Sequence, residues 1–156
     1  IETQVARAVE QGGRILAGGR RVDGMDGLFF QPTIIECPDP SMEIVDTELF
    51  GPVLAVLRFS DEDDVIAQAN RSVHGLAAGL FTRDSARSMR VARRLRAGIV
   101  WVNTYRVISP IAEFGGSKQS GYGRESGMQA VYDYTRPKTV WMNLSDDPVA
   151  NPFEPR

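Results

Sequence analysis

The chain contains 156 residues, of which 42% are hydrophobic and 24% are charged, and its formal net charge is -2. This length is sufficient for one ordinary domain with a hydrophobic core, and the small net charge argues against a nucleic-acid-binding protein. Because no apolar run approaches the roughly 20 residues of a membrane span, we expect a globular protein that binds neither nucleic acid nor membrane.

The chain carries few side chains that could act as nucleophiles or metal ligands. Its single cysteine, Cys37, cannot form an internal disulfide and fits a reducing compartment, so a cytoplasmic location is expected. Its single histidine, His74, precedes a glycine at a predicted turn, and we interpret it as structural rather than as the partner of Cys37 in a catalytic dyad. The pool of nitrogen and sulfur ligands is too small for zinc, so we predict no metal site.

The first third of the chain predicts one helix and two strands. Apolar residues recur at helical spacing over residues 1–9 and a pair of glycines follows, which predicts a helix that ends there. Residues 14–19 and 28–36 predict short strands separated by a polar turn.

The middle of the chain alternates strands with helices. The predicted strands are 53–59, 76–82 and 98–103, and the predicted helices are 60–70 and 84–97. The first of these strands is almost continuously apolar, which is typical of a strand covered on both faces in a parallel sheet. This order implies right-handed parallel crossovers and an α/β fold.

The charges of the two helices have a structural interpretation. Ser60 and Asp63 predict a capping box at the first helix, and Asp84 predicts the cap of the second. The second helix carries an outer face of arginines, which we interpret as solvated rather than as a phosphate or lipid site. These arginines are Arg87, Arg90, Arg93, Arg94 and Arg96.

A long loop, residues 104–122, leaves the carboxyl end of the third strand, where α/β sheets place ligands, and we expect a site there. Its glycine-dense part is not a P-loop and misses the dinucleotide fingerprint by one residue, which leaves a tight structural turn, a substrate-lining loop or a nucleotide cradle open. An ion pair between Arg124 and Glu125 is predicted to anchor the loop. A helix is predicted near 124–134, and the alternating pattern of 138–143 predicts an edge strand or a strand lent to a neighbour.

Several separated segments occur in the order found in the NAD(P)-dependent aldehyde dehydrogenase family, and the chain resembles the C-terminal part of such an enzyme. The resemblance covers nearly the whole chain and excludes only the last ten or so residues. The matching segments are Gln31-Pro-Thr33, Glu48-Leu-Phe-Gly-Pro-Val53, Asn70 with Gly75-Leu76, Phe81-Thr82, Trp101-Val-Asn103, Phe114-Gly-Gly116 with Lys118 and Ser120-Gly121, and Gly123-Arg-Glu125.

The resemblance implies an α/β fold made of the parallel-sheet part of the family's catalytic domain. Residues 1–135 would be the C-terminal part of that domain, 136–145 an oligomerisation strand, and 146–156 an extended tail. A homodimer or homotetramer is implied, because in the family this last strand pairs with a neighbouring subunit.

The resemblance also implies contacts with NAD or NADP and with an aldehyde. Glu48 resembles the glutamate that hydrogen-bonds the nicotinamide ribose, a task suited to a carboxylate that accepts two donors. Phe50 resembles an aromatic residue beside the nicotinamide. Phe114 resembles an aromatic residue of the substrate tunnel, while Arg106 and Ile108 lie where the family varies its aldehyde selectivity.

The implied mechanism is attack of a thiolate on the aldehyde, hydride transfer to NAD(P), and hydrolysis of the thioester by a glutamate-activated water. The family's glycine-glutamine-x-cysteine segment is absent, and the neighbours of Cys37 do not fit it. We therefore expect no catalytic residue in this chain and no dehydrogenase activity from the chain alone. The alternative is a non-catalytic α/β interaction module, or a remnant, that completes a site on another chain.

Overall fold

The structure is a computed structural model that describes residues 1–147 and Phe153. Its helices are α1 Glu2–Glu10, α2 Glu43–Asp46, α3 Glu62–Arg71, α4 Ser85–Arg94 and α5 Gly127–Asp133. Its strands are β1 Arg14–Ala17, β2 Thr33–Glu36, β3 Val53–Val56, β4 His74–Gly75, β5 Ala77–Leu80, β6 Ile99–Val102 and β7 Ser117–Lys118. The predicted α/β class is confirmed, and no helix among the described residues has the length and apolarity to cross a membrane.

The strands form three separate ladders. In the first, β2 pairs antiparallel with β1 and parallel with β3, with Thr33 opposite Val53. In the second, β5 and β6 run parallel, and in the third the short strands β4 and β7 run antiparallel. The parallel crossovers expected from the alternating region are observed only in part, because β5 and β6 run parallel but within residues 1–147 no ladder joins β3 to β5.

The hydrophobic core lies on one face of the three-stranded sheet. Val5 and Ala8, one turn apart on α1, are buried against Ile35 and Cys37, and α2 contributes Ile44 to the same cluster. Side chains three residues apart lie on one helix face, so a short amphipathic helix is enough to cover this side of the strands.

The opposite face of the same sheet is bare. Ile34 and Leu54 are register partners across β2 and β3, and Leu54 is 59% exposed. The expectation that β3 is covered on both faces is therefore wrong for the isolated chain. Its apolar pattern is that of a strand whose second face needs further polypeptide, because parallel sheets are normally covered on both sides.

Helices α3 and α4 lie side by side and are joined by ion pairs. Glu62 accepts two hydrogen bonds from Arg90, each 2.7 Å long, and Asp63 pairs with Arg94 at 2.6 Å. The arginine face of α4 is thus only partly the solvated surface expected from the sequence. These pairs are exposed, so each contributes little to stability by itself.

The helix caps agree closely with the sequence. Asp84 caps α4 as predicted, since its carboxylate accepts from the backbone N–H of Arg87 at 3.0 Å. The cap of α3 is shifted by one residue, because Asp61 rather than Ser60 accepts from the N–H of Asp64, at 2.9 Å.

The C-terminal region is exposed and contains no strand within the described residues. The helix predicted near 124–134 begins at Gly127, and the segment 135–147 lies outside any helix or strand. Residues 138–143 include Trp141, which is 92% exposed. A strand needs a partner to satisfy its backbone groups, and in the described residues this segment has none. Most of the predicted tail, residues 148–152 and 154–156, lies outside the described residues.

Candidate functional site

The loop between α2 and β3 presents Glu48 and Phe50. Leu49 packs against the hydrophobic core, and its two neighbours are exposed. Phe50 is 88% exposed and has a positive φ of 49°. The Glu48 carboxylate forms no hydrogen bond or ion pair with any described residue. Leu49 thus tethers a loop whose acid and aromatic ring are both available to a ligand.

The carboxyl ends of β5 and β6 are joined by Asn103. Its Oδ1 accepts from the backbone N–H of Thr82 at 2.8 Å, and its Nδ2 donates to the Thr82 carbonyl at 2.9 Å. Asn103 has a positive φ of 54°, a conformation that asparagine tolerates better than most residues. This clamp gives Asn103 a structural role at the end of the two strands.

The chain after β6 folds back over the Trp101 side chain. The indole Nε1–H donates to the carbonyl of Val107 at 2.9 Å, and the Tyr105 ring meets the indole edge-on with centroids 5.5 Å apart. Arg106 has a φ of 58° and places its guanidinium 5.7 Å from the centroid of the Tyr105 ring. Ile108 follows Val107 and is exposed.

The glycine-dense segment is not at the carboxyl ends of the strands. Strand β7 pairs with β4, just before the amino end of β5, and the Ser117 hydroxyl donates to the Gly75 carbonyl at 3.1 Å. A side chain at Gly98, the residue before β6, would collide with the backbone of Gly115. Only the first half of the 104–122 loop therefore lies where a site at the carboxyl end of the third strand is expected, because its second half packs at the amino ends of β5 and β6.

Lys118 ties this segment to the end of α3. Its ammonium donates to the carbonyls of Asn70 and Ser72 at 3.0 and 2.9 Å. These are carbonyls at the C-terminus of the helix, where a cation is favoured by the helix dipole. The Asn70 side chain in turn donates to the Arg94 carbonyl at 2.8 Å, which joins α3 to the end of α4.

Arg124 holds the glycine segment through backbone carbonyls. Its Nη1 donates to the carbonyls of Gly116, Tyr122 and Gly123 at 2.7, 3.1 and 3.0 Å. The predicted ion pair with Glu125 is wrong, since Glu125 instead pairs through its backbone with Phe114, with both N–H···O distances 2.7 Å. These contacts support a tight structural turn over a nucleotide cradle.

The predicted site residues therefore occupy three places. Glu48 and Phe50 precede the amino end of β3, Arg106 and Ile108 follow the carboxyl end of β6, and half-buried Phe114 lies between β6 and β7 in the chain. Within residues 1–147, no hydrogen bond, ion pair or ring contact joins one of these places to another.

Two residues that shape the loop carrying Arg106 and Ile108 were not predicted as site residues from the sequence. Trp101 donates a hydrogen bond across this loop, and the Tyr105 ring packs against the indole in a T-shaped contact. A signal was available, because a large aromatic residue at the end of a strand is followed four positions later by another.

Cys37 and His74 do not meet. Cys37 is 3% exposed in the core, where burial raises the pKa of its thiol, while His74 lies in β4 opposite Lys118. A buried thiol with a raised pKa is a poor nucleophile. The described residues contain no group of three or more acidic, histidine or cysteine side chains that could hold a metal ion.

The chain is similar in sequence to proteins of a known family. The profile of the "Aldehyde dehydrogenase family" matches residues 1–140. The (Z)-2-((N-methylformamido)methylene)-5-hydroxybutyrolactone dehydrogenase of Acinetobacter baylyi is 49% identical over 154 residues, which cover 98% of this chain and 31% of that protein. "Aldehyde dehydrogenase, cytosolic 1" of Rattus norvegicus is 46% identical over 136 residues, covering 87% of this chain and 27% of its own length.

A solved structure shows the same fold. PnpE from Pseudomonas sp. WBC-3, in complex with nicotinamide adenine dinucleotide, superposes with a TM-score of 0.90 at 40% identity, covering 97% of this chain and 31% of that chain. The chain thus spans about a third of the length of the relatives it matches.

Proposed function

The chain belongs to the aldehyde dehydrogenase family, and on this premise we propose that it is the C-terminal part of a longer enzyme that oxidises an aldehyde to a carboxylic acid with NAD or NADP. The observation that carries the proposal is a loop, tethered by Leu49, that carries the exposed Phe50 ring and a Glu48 carboxylate without a partner among the described residues. The chain matches only 31% of the length of a relative, which supports the proposal that other segments complete the enzyme.

The exposed apolar surface supports a part of a larger fold over a self-contained module. A groove of about 510 Å³ runs beside β5 and is open to solvent. Its apolar lining includes Phe59, Val65, Ile66, Leu80 and Phe81, and Phe81 is 74% exposed. Together with the bare face of the three-stranded sheet, this exposed apolar surface is of the kind that marks contact with further polypeptide.

The Glu48 loop fits the nicotinamide half of the cofactor. A carboxylate with no partner among the described residues can accept hydrogen bonds from two ribose hydroxyls, and the Phe50 ring offers a flat apolar surface to the adjoining ring. The cofactor supplies the acceptor for the hydride. Glu48 and Phe50 orient it, and they take no part in proton transfer.

The aldehyde would be selected by the loop after β6 and by Phe114. Ile108 and Arg106 are exposed on that loop, and Phe114 is half-buried at the start of the glycine segment. The nucleophile would come from another part of the longer protein, because Cys37 is enclosed in the core. The chain alone would therefore have no dehydrogenase activity.

The proposal extends to the organisation of the longer protein. Residues 1–135 would complete its catalytic domain, and 136–145 would form a strand with a neighbouring subunit of a homodimer or homotetramer, followed by an extended tail. The exposed apolar residues Val140, Trp141 and Met142 support such pairing. A cytoplasmic location is supported by the 46% identity to the rat protein described as cytosolic.

The test is an assay of NAD(P) reduction with propanal for the isolated chain and for the longer protein. The proposal expects activity only in the longer protein. If the longer protein, correctly folded, reduces neither cofactor with any simple aldehyde, the alternative of a non-catalytic interaction module takes its place.

A further inference from the structure

We propose that Trp101 is the positioning residue of the aldehyde entrance, and that through Val107 it sets how strongly the enzyme discriminates between small and bulky aldehydes. This inference rests on the proposed function, which places Arg106 and Ile108 at that entrance. Trp101 itself is not proposed to touch the aldehyde.

Trp101 lies on a strand whose backbone is fixed by pairing with a neighbouring strand. Strand β6 pairs with β5 from Ile99 to Val102, and the Asn103 clamp closes the end of the pair. A side chain on a paired strand can hold a loop more precisely than one loop residue can hold another.

The loop depends on this one side chain for its hydrogen bonding. Within residues 1–147, the bond from the indole Nε1 to the Val107 carbonyl is the only hydrogen bond formed by residues 104–108. An exposed loop with so few ties is at the low-stability end of a structure. Loss of this bond therefore leaves the position of Ile108 set by weaker contacts.

A stack of side chains supports the same arrangement. The indole of Trp101 and the ring of Tyr105 pack in a T-shaped arrangement, and the guanidinium of Arg106 lies over the Tyr105 ring, 5.7 Å from its centroid. Arg106 keeps a φ of 58°, which is unfavourable for a long side chain and persists where surrounding contacts impose it. Arg106 forms no ion pair with a described residue, so the stack rather than a carboxylate fixes its place.

Substitution of Trp101 by phenylalanine removes the donor and keeps an aromatic ring. In the longer enzyme, we expect kcat/KM for hexanal relative to propanal to rise about five-fold, the effect of losing one ordinary hydrogen bond. The change should appear mainly in KM for hexanal, with kcat for propanal within about two-fold, because in this proposal Trp101 does not touch the aldehyde. The control is Tyr134→Phe, which removes an exposed hydroxyl that forms no hydrogen bond with the described residues.

A second measurement tests the contact independently of activity. In the isolated chain, the Trp101 indole N–H should exchange with solvent more slowly than that of Trp141, which is 92% exposed there and serves as an internal reference. Equal exchange of the two indoles would overturn the contact on which the inference rests.

The outcomes separate the inference from the proposed function. An inactive wild-type enzyme would contradict the proposed function, while the indole exchange would still test the contact. An active wild type whose aldehyde ratio is unchanged in a folded Trp101→Phe variant would overturn the inference. If that variant does not fold, Tyr105→Leu, which removes the stack and keeps the indole bond, is expected to shift the ratio in the same direction, and an unchanged ratio would be decisive against it.

Discussion

The side-chain amide of Asn103 forms two hydrogen bonds with the backbone of Thr82: its Oδ1 accepts from the N–H at 2.8 Å, and its Nδ2 donates to the carbonyl at 2.9 Å. Asn103→Leu removes both bonds and places a branched side chain at a φ of 54°. We expect a loss of about 2–3 kcal/mol in the free energy of unfolding, measured by urea titration. Asn103→Gly relieves the backbone and removes the same bonds, so it should cost clearly less; equal costs would mean that the hydrogen bonds alone matter.

The two lysines of the chain provide a matched comparison. Lys118→Met removes two hydrogen bonds to the carbonyls at the end of α3 and is expected to cost about 1–2 kcal/mol of stability. Lys138→Met, at an exposed position outside any helix or strand, should change stability by less than about 0.5 kcal/mol. Thermal unfolding of both variants measures this. Similar effects in the two variants would contradict the role assigned to Lys118.

The ion pair between α3 and α4 predicts a dependence of stability on pH. The hydrogen bonds from Arg90 hold the pKa of Glu62 below its ordinary value of 4.5. Because the folded-state pKa is the lower one, the pair contributes stability above about pH 4.5 and loses it as the pH falls through the folded pKa.

The measurement for this pair is the difference in melting temperature between wild type and Glu62→Gln from pH 7 down to pH 3. We expect the difference to be constant above the ordinary carboxyl pKa and to shrink below it. Glu10→Gln, which changes an exposed acid that forms no ion pair with the described residues, should show no such trend. A difference that grows on acidification would contradict the assignment.

The open edge of β5 predicts an alternating pattern of amide exchange. The carbonyls of Leu76 and Leu80 accept from the N–H groups of Ile99 and Asn103, so the alternation of a strand turns Ala77 and Gly79 toward the other edge, which is unpaired in the described residues. In the isolated chain, the amide of Leu80 should exchange more slowly than those of Ala77 and Gly79. In the longer enzyme all three should be protected if further polypeptide covers this edge. Equal protection in the isolated chain would mean that the edge is already closed.

The sequence predicts local features best. Asp84 could be identified as a cap from the sequence, because an aspartate directly before an amphipathic run is a preferred helix N-cap. The apolar run at β3 correctly indicated a strand of a parallel ladder. It failed to indicate the bare face, since an apolar run of this kind is typical of a strand covered on both faces, and the described residues cover only one face.

Contacts to backbone carbonyls were beyond sequence reasoning. The ion pair expected between Arg124 and Glu125 is replaced by bonds to three carbonyls, and carbonyls are present at every residue and so leave no trace in a sequence. The loop that accepts the Trp101 hydrogen bond contains a positive φ at Arg106, which no composition rule assigns to an arginine. The roles of Glu48 and Phe50 came from family resemblance alone and stay a prediction.

The most direct test of the account is the KM for NAD and NADP of the longer enzyme carrying Glu48→Gln. Because a neutral amide replaces a carboxylate that would accept two hydroxyl donors, we expect KM for the cofactor to rise about ten-fold or more, with Glu10→Gln behaving as wild type. A Glu48→Gln enzyme with unchanged cofactor KM would contradict the claim that this chain supplies the nicotinamide-ribose contact of an aldehyde dehydrogenase.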